Sequence, residues 1–334
     1  MSKRVKMAPI NKICTHSGSF HADEALAVYM LRLLPEAKDA VVVRSREPEK
    51  WEEADIVVDV SGKYDGIKYF DHHQREFSET FNDVFKTKLS SAGLIYKHFG
   101  QEIIRIICPV LSEDSYDILY NKVYKEFIES LDANDNGINN FDAEELGVTR
   151  RFSDKNITIP AIISRMNPSW NEDCSPGKFD EQFFKASKFI GECFVNLVES
   201  YGKSWLPAKD IVRRAVLNRD TADKSGGSSI IVLDQFCPWK EHLYEVEKEL
   251  NIENTILFVL FEDSSGSWRV STVPVSSTSF KFRQGLLEPL RGLRDEELSK
   301  KAQVEGCIFV HASGFIGGAK SKEAALQLAY MSLP

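Results

Sequence analysis

The sequence predicts an α/β protein: an N-terminal domain built on a parallel sheet, then a second, smaller α/β domain. Three observations predict it. Apolar β-branched runs alternate with apolar-periodic helices through the first part of the chain, the pattern of a parallel sheet. These runs end on histidines and acids rather than on a continued apolar face. After the Gly226-Gly227 pair the spacing changes to short strands, one of them paired in a hairpin. The expected divisions are 1–140 for the first domain, 141–225 for a helical connection and 226–334 for the second domain.

In order, Lys12-Ile13-Cys14-Thr15 is the first strand. It runs into His16-Ser17-Gly18-Ser19-Phe20-His21-Ala22-Asp23-Glu24, a turn that small residues allow to fold tightly. A largely buried helix follows to Leu34, closed by Pro35. Val41–Arg44 and Ala54–Val60 are the next strands, the latter carrying Asp59 near its end. A bare buried carboxylate is costly, so Asp59 should be paired or metal-bound unless it faces solvent. Ile67–Phe70 delivers Asp71-His72-His73 to the same edge. A helix then starts at Ser90 or Ser91, with one of them as N-cap, and ends near Gly100. A longer helix runs from about Ser115 to Leu131 and stops at Asp132-Ala133-Asn134-Asp135-Asn136-Gly137.

That last stretch opens like a calcium loop, but its twelfth place is Ala143 where a bidentate Glu is needed. It reads better as one more acidic ligand at the sheet edge. Phe141 to Pro160 is polar and irregular. Helices are expected over Phe179–Tyr201 and Pro207–Arg219, with the bases Lys209, Arg213, Arg214 and Arg219 on a solvated face. In the second domain Ser229–Leu233, Thr255–Phe261, Ser267–Val273 and Gly306–His311 are strands, and Trp239–Leu250 is a helix. The chain closes with His311-Ala312-Ser313-Gly314-Phe315-Ile316-Gly317-Gly318-Ala319-Lys320 before a helix from Ser321 to about Met331. A Gly-rich loop ahead of a helix can offer backbone N–H groups to a phosphate. Lys320, His311 and Arg269 on a nearby strand would add to it.

The net charge of −8 argues against a protein coated in nucleic acid, though a metal-lined site can itself neutralise phosphate. No apolar run reaches the ~20 residues of a membrane span, so no membrane partner is expected. The six cysteines form no CxxC pair and read as reduced thiols inside a cell. Lys3, Arg4, Lys6 and Lys12 make the N-terminus mildly basic, as a frayed tail or a short mitochondrial or nuclear address. The first strand begins too early to leave room for a long cleavable presequence.

His16, His21, Asp23, Asp59, Asp71, His72, His73, Asp132 and Asp135 all sit at strand or helix ends of the first domain. Imidazoles and carboxylates in these numbers suffice for two divalent ions, with Asp59 the natural bridge. Such a pair activates a hydroxide and clamps phosphoryl oxygens.

Together, THSGSFHADEAL, FDHHQ, LSSAGLI, LDANDNGI, WRVSTVP and HASGFIGGAKSKEAAL resemble the melanocyte-proliferating-gene exonuclease family, within the DHH phosphoesterase superfamily. The resemblance covers nearly the whole chain. It implies a DHH-type catalytic domain, a DHH-associated substrate domain, two divalent ions of the manganese type (Zn²⁺ or Mg²⁺ as alternatives) and 3′-to-5′ RNA exonuclease activity, nuclear and mitochondrial in some members. Carried onto this chain, it implies that His16 and His21 hold one ion with Asp59 bridging. Asp23, His72 and either Asp132 or Asp135 hold the other. His73, with Asp71 beside it, would meet phosphate or the attacking water. Arg269, His311, Gly317, Gly318 and Lys320 would hold the substrate's phosphate or terminal nucleotide. Many superfamily members carry Asp where His21 stands, which leaves the metal and its count open. Two rivals remain: a phosphohydrolase for pyrophosphate or short oligonucleotides, and a non-catalytic metal- or RNA-binding regulator.

Overall fold

The computed structural model describes residues 8–149, 152–222 and 228–334. It divides into two compact units, one ending at Gly202 and the other starting at Lys203. Lys3, Arg4 and Lys6 of the basic N-terminus and the Gly226-Gly227 pair lie outside the described residues.

The first unit holds strands β1 (Lys12–Thr15), β2 (Val41–Arg44), β3 (Ile56–Val58) and β4 (Tyr69–Phe70). Its helices are α1 (Ala22–Leu33), α2 (Pro48–Glu53), α3 (Ser91–Ile107), α4 (Glu113–Val123), α5 (Glu129–Asp135), α6 (Ile159–Ser164) and α7 (Pro176–Ser200). The sheet is parallel throughout, in the order β2-β1-β3-β4. Ile56, Val57 and Val58 are all buried, as a β-branched run in a covered parallel strand should be. From β1 the chain moves outward to β2, then returns to place β3 on the other side of β1. The strand order therefore reverses between β1 and β3, and ligands of open α/β sheets bind outside the carboxyl ends of the strands at such a point.

Helix α1 packs against α3 and α7. Gly191 of α7 lies against the Tyr29 ring of α1, where a Cβ would strike it. Beside it the Ser187 hydroxyl donates to the Ala25 carbonyl at 2.7 Å.

Two expectations change here. Helix α3 does not end near Gly100 but continues to Ile107, because Gly100 sits under the Tyr96 and Tyr120 rings and serves packing. The following helix does not stop at Leu131. A single turn of π-helix, Tyr124–Ile128, joins α4 to α5, which carries Asp132 and Asp135 on its last turns instead of in a loop.

The second unit adds α8 (Leu206–Leu217), α9 (Arg219–Ala222), β5 (Ile230–Val232), α10 (Lys240–Glu249), β6 (Phe258–Glu262), β7 (Trp268–Thr272), α11 (Asp295–Ala302), β8 (Cys307–Val310), β9 (Ile316–Ala319) and α12 (Lys322–Tyr330). Its sheet runs β5-β6-β7-β9-β8, parallel only between β5 and β6. Residues of β6 alternate faces. Phe258 and Leu260 join the core with α11 and α12, while Val259 and Phe261 join the core with α8 and α10.

The Gly-rich stretch is the main correction in this unit. Gly317 and Gly318 are not a loop before a helix; they lie within β9, between β7 and β8. A side chain on Gly318 would collide with Arg269 and Phe309. His311 meets Ile316 at one end of the β8–β9 hairpin and Lys320 meets Gly306 at the other. At ~3.3 Å per strand residue they stand well apart, so one loop does not gather them. Arg269 is turned onto Asp263 at 2.5 Å. Among the described residues no helix is long and apolar enough to cross a membrane. All six cysteines are free thiols.

Candidate metal centre

The carboxyl ends of β1, β3 and β4 deliver His16, Asp59 and Asp71 to one edge. Asp59 ends β3 with φ 57°, in the left-handed region. That conformation costs an ordinary L-residue about 1–2 kcal/mol, and Asp and Asn tolerate it best. His21 is the N-cap of α1, and Glu24 reaches back to its N–H at 2.8 Å.

These residues converge. His16 Nε2 lies 3.0 Å from Glu24 Oε1 and 3.5 Å from Asp59 Oδ2. His72 Nε2 lies 3.5 Å from the other Asp59 oxygen and 3.0 Å from Asp135 Oδ2. His73 Nδ1 stands 3.6 Å from Asp59 Oδ1. Three groups have ligand atoms within 4.8 Å of one another: His16, His21, Glu24 and Asp59; Asp59, His72 and His73; and His21, Asp23 and Asp135. Asp59 belongs to the first two, where a bridging carboxylate would stand. The cluster lines a cavity of about 980 Å³.

Electrostatics fit cations here. Both Asp23 oxygens are buried with no hydrogen-bond partner. Burial, then Asp59, Asp135 and Glu24, push its carboxyl well above the usual range. His72 approaches Asp135 closely, yet its ring nitrogens make no aligned hydrogen bond. Burial disfavours charge on His16, but Asp59 and Glu24 outweigh it and lift its pKa to about 10. His72 likewise rises to about 10, burial being outweighed by Asp135 and Asp59. Burial alone would raise Asp59, but His16 and His72 carry it below the carboxylate range. Crowded carboxylates thus demand positive charge, and an imidazole–carboxylate donor set suits Mn²⁺ or Zn²⁺ better than Mg²⁺.

Asp71 stands apart from the three groups. It accepts hydrogen bonds from His73 Nδ1 at 2.7 Å and from the Gly62 N–H at 2.6 Å, fixing the His73 ring. Asp132 also stands apart. Its Oδ1 accepts from Ser90 N, Ser90 Oγ and Gly93 N at 3.0, 2.7 and 3.1 Å, and its Oδ2 from Tyr124 at 2.9 Å. It ties the start of α3 to the π turn, and Asp135 is the acid that reaches the cluster.

Sequence reasoning did not assign Glu24 a role. Its signal was there: an acid three residues after an N-cap, on a helix otherwise buried. It also missed the cations Arg46, Arg75, Lys88, Lys155 and Arg165 around the cavity. Chain position gave no sign of them.

Comparison with known proteins decides the family. The family described as MYG1_exonuc, uncharacterised protein family UPF0160, matches residues 12–333. The chain belongs to the MYG1 exonuclease family. It is 64% identical over 335 residues to a MYG1 protein of Saccharomyces cerevisiae, covering 99% of this chain and 98% of that one. A MYG1 protein of Schizosaccharomyces pombe is 51% identical over 325 residues, covering 96% of this chain and 97% of the relative. The human protein named MYG1 exonuclease is 45% identical over 341 residues, covering 99% of this chain and 88% of the relative. No solved structure matches this MYG1 family chain.

Proposed function

We propose that this protein is a metal-dependent phosphodiesterase that shortens RNA from its 3′ end. The observation that carries the proposal is the sharing of Asp59 between two ligand groups, one with His16, His21 and Glu24, the other with His72 and His73. Relatives named MYG1 exonuclease support it.

In this reading His16 and His21 would hold one divalent ion and Asp23, His72 and Asp135 the other, with Asp59 shared between them. Mn²⁺ is the first candidate, with Zn²⁺ and Mg²⁺ as alternatives. When bound, such a pair supplies Lewis-acid activation of water and stabilises charge on phosphoryl oxygens. Glu24 holds both His16 and the His21 backbone, so it orients two ligands at once. His73, held by Asp71 and 61% exposed at its side chain, is placed to hydrogen-bond a phosphate oxygen or carry a proton. The first unit carries the chemistry. In the second unit His311 and Lys320 are exposed and are the candidates to meet phosphate; Arg269 is engaged with Asp263, and Gly317 and Gly318 give that hairpin its close packing. Action inside the cell, in nucleus, cytoplasm or mitochondrion, is the setting this reading takes, and free thiols are compatible with it.

The test is metal analysis of the purified protein, with digestion of 5′-labelled RNA in Mn²⁺ and in EDTA. A ladder shortening from the 3′ end, lost in EDTA and in Asp59→Asn, is expected. Hydrolysis of pyrophosphate or a dinucleotide with intact RNA would replace the proposal by the small-substrate reading. Metal binding without any turnover would leave a regulator.

A further inference from the structure

The cavity has an acidic floor and a basic rim. Arg75 follows directly on Asp71-His72-His73-Gln74, Lys88 lies just before α3, Lys155 lies in the stretch before α6, and Arg165 caps that helix at its C-terminal end. The bland reading of each is a solvated cation, and for Arg165 a partner of the helix end. Three observations weigh against it. All four line the same cavity, although they come from separate parts of the chain. None is within ion-pair distance of a carboxylate among the described residues, whereas Lys12, Lys97, Arg105 and Lys122 of the same unit each have one. The chain carries 50 acids against 42 Lys and Arg, so a carboxylate-free group of cations runs against its composition. Lys88 is also held in place: Asn136 Nδ2 donates to its carbonyl at 2.9 Å, and its ammonium lies 5.5 Å from the centre of the Phe77 ring.

We infer that Arg75, Lys88, Lys155 and Arg165 form a track for the phosphodiester backbone of a single-stranded oligonucleotide, gripping phosphates other than the one at the metal-binding floor. The inference rests on the phosphodiesterase reading and deepens it, since a track of this kind serves a chain and not a single phosphate. The cavity is at the upper end of the ~300–1,000 Å³ of small-molecule pockets, large enough for more than one phosphate group. Unpaired cations take phosphates without first breaking an internal ion pair, and their contribution is independent of base sequence.

The experiment is fluorescence anisotropy with a labelled single-stranded RNA of about ten nucleotides, in EDTA to stop turnover, across a range of NaCl concentrations. Each phosphate contact on a single strand adds about −0.7 to the slope of log K against log salt. The double variant Lys155→Gln/Arg165→Gln should therefore bind more weakly at low salt and lose about 1.4 of the wild-type slope. Arg75→Gln/Lys88→Gln should do the same. Circular dichroism and metal content serve as controls for folding and for the floor. An unchanged slope in both variants, or no RNA binding by wild type at low salt, overturns the inference. Pyrophosphate or a mononucleotide displacing the RNA at a concentration near the Kd of the RNA itself also overturns it, because the rim would then serve a small anion. The two readings fail separately. RNA binding that loses slope in the variants without any metal-dependent hydrolysis sinks the enzyme and keeps the track. Hydrolysis by variants with a wild-type slope does the reverse.

Discussion

The Ser91 hydroxyl donates to Asp59 Oδ1 at 2.8 Å, so the first residue of α3 holds the carboxylate that both ligand groups share. Both partners are buried, and Asp59 sits in left-handed backbone that its neighbours must maintain. Partners of metal ligands commonly cost 10–100-fold in affinity when removed. Ser91→Ala is therefore expected to leave the fold within about 1–2 kcal/mol of wild type and to weaken Mn²⁺ binding by roughly 10-fold or more. Isothermal titration of the metal-free proteins checks it; equal affinities would make the contact incidental.

Asp135 and Asp132 should behave as opposites. Asp135→Asn removes an acid that faces His72 and Asp23 while touching little else, so metal content should fall with the fold retained. Asp132→Asn disturbs four hydrogen bonds in a fully buried site, so stability should drop, by an amount on the order of 2–4 kcal/mol, with metal content retained. Metal analysis beside urea unfolding separates them. Loss of metal in Asp132→Asn at full stability would exchange the two roles.

Asp132 also gives the fold a pH dependence of definite sign. Burial pushes its carboxyl from 3.8 to about 7, against hydrogen bonds from Ser90, Tyr124 and Gly93 that favour the anion. The folded state then holds the extra proton between those values. Stability from this group is fully present below about pH 4 and is lost as pH rises through about 7. A shift of that size corresponds to ~4 kcal/mol. In chelator, the stability of wild type minus that of Asp132→Asn should fall as pH rises from about 4 to 8. A flat difference would mean that the acid is ionised throughout.

Gly191→Ala tests the seat of α1. The new methyl meets the Tyr29 ring, and helix-on-helix overpacking costs about 1–3 kcal/mol. A Tm lower by several degrees, with metal content unchanged, is expected. An unchanged Tm would show that Tyr29 moves freely.

Much of this site was legible because three of the four strands of the first sheet exit on a residue that no apolar face requires. His16 after β1, Asp59 after β3 and Asp71 after β4 stand out against β-branched runs. Glu24 was harder, since helical periodicity marks it as buried and says nothing of what it binds. Asp132 and Asp135 could not be told apart, because the helix was expected to end at Leu131 and leave both in a loop, whereas the π turn leads into one more helix that carries them. Gly317 and Gly318 misled for a different reason. Glycine signals backbone freedom in sequence, but here it signals the absence of a Cβ, beneath Leu286 and Val270 at Gly317 and beneath Arg269 and Phe309 at Gly318. The basic rim was invisible, as its members are distant in the chain and ordinary in type.

The π turn at Tyr124–Ile128 works as a one-residue phase adjuster for everything downstream. Each helical residue advances the chain by about 100° and 1.5 Å. Winding the same five residues as regular α-helix, with none removed, would swing both Asp132 and Asp135 about a quarter-circle around the axis. One carboxylate would leave its donors and the other would leave His72, so the extra residue of this turn keeps both in place, and a further insertion here should be tolerated far less readily than substitutions on its outer surface.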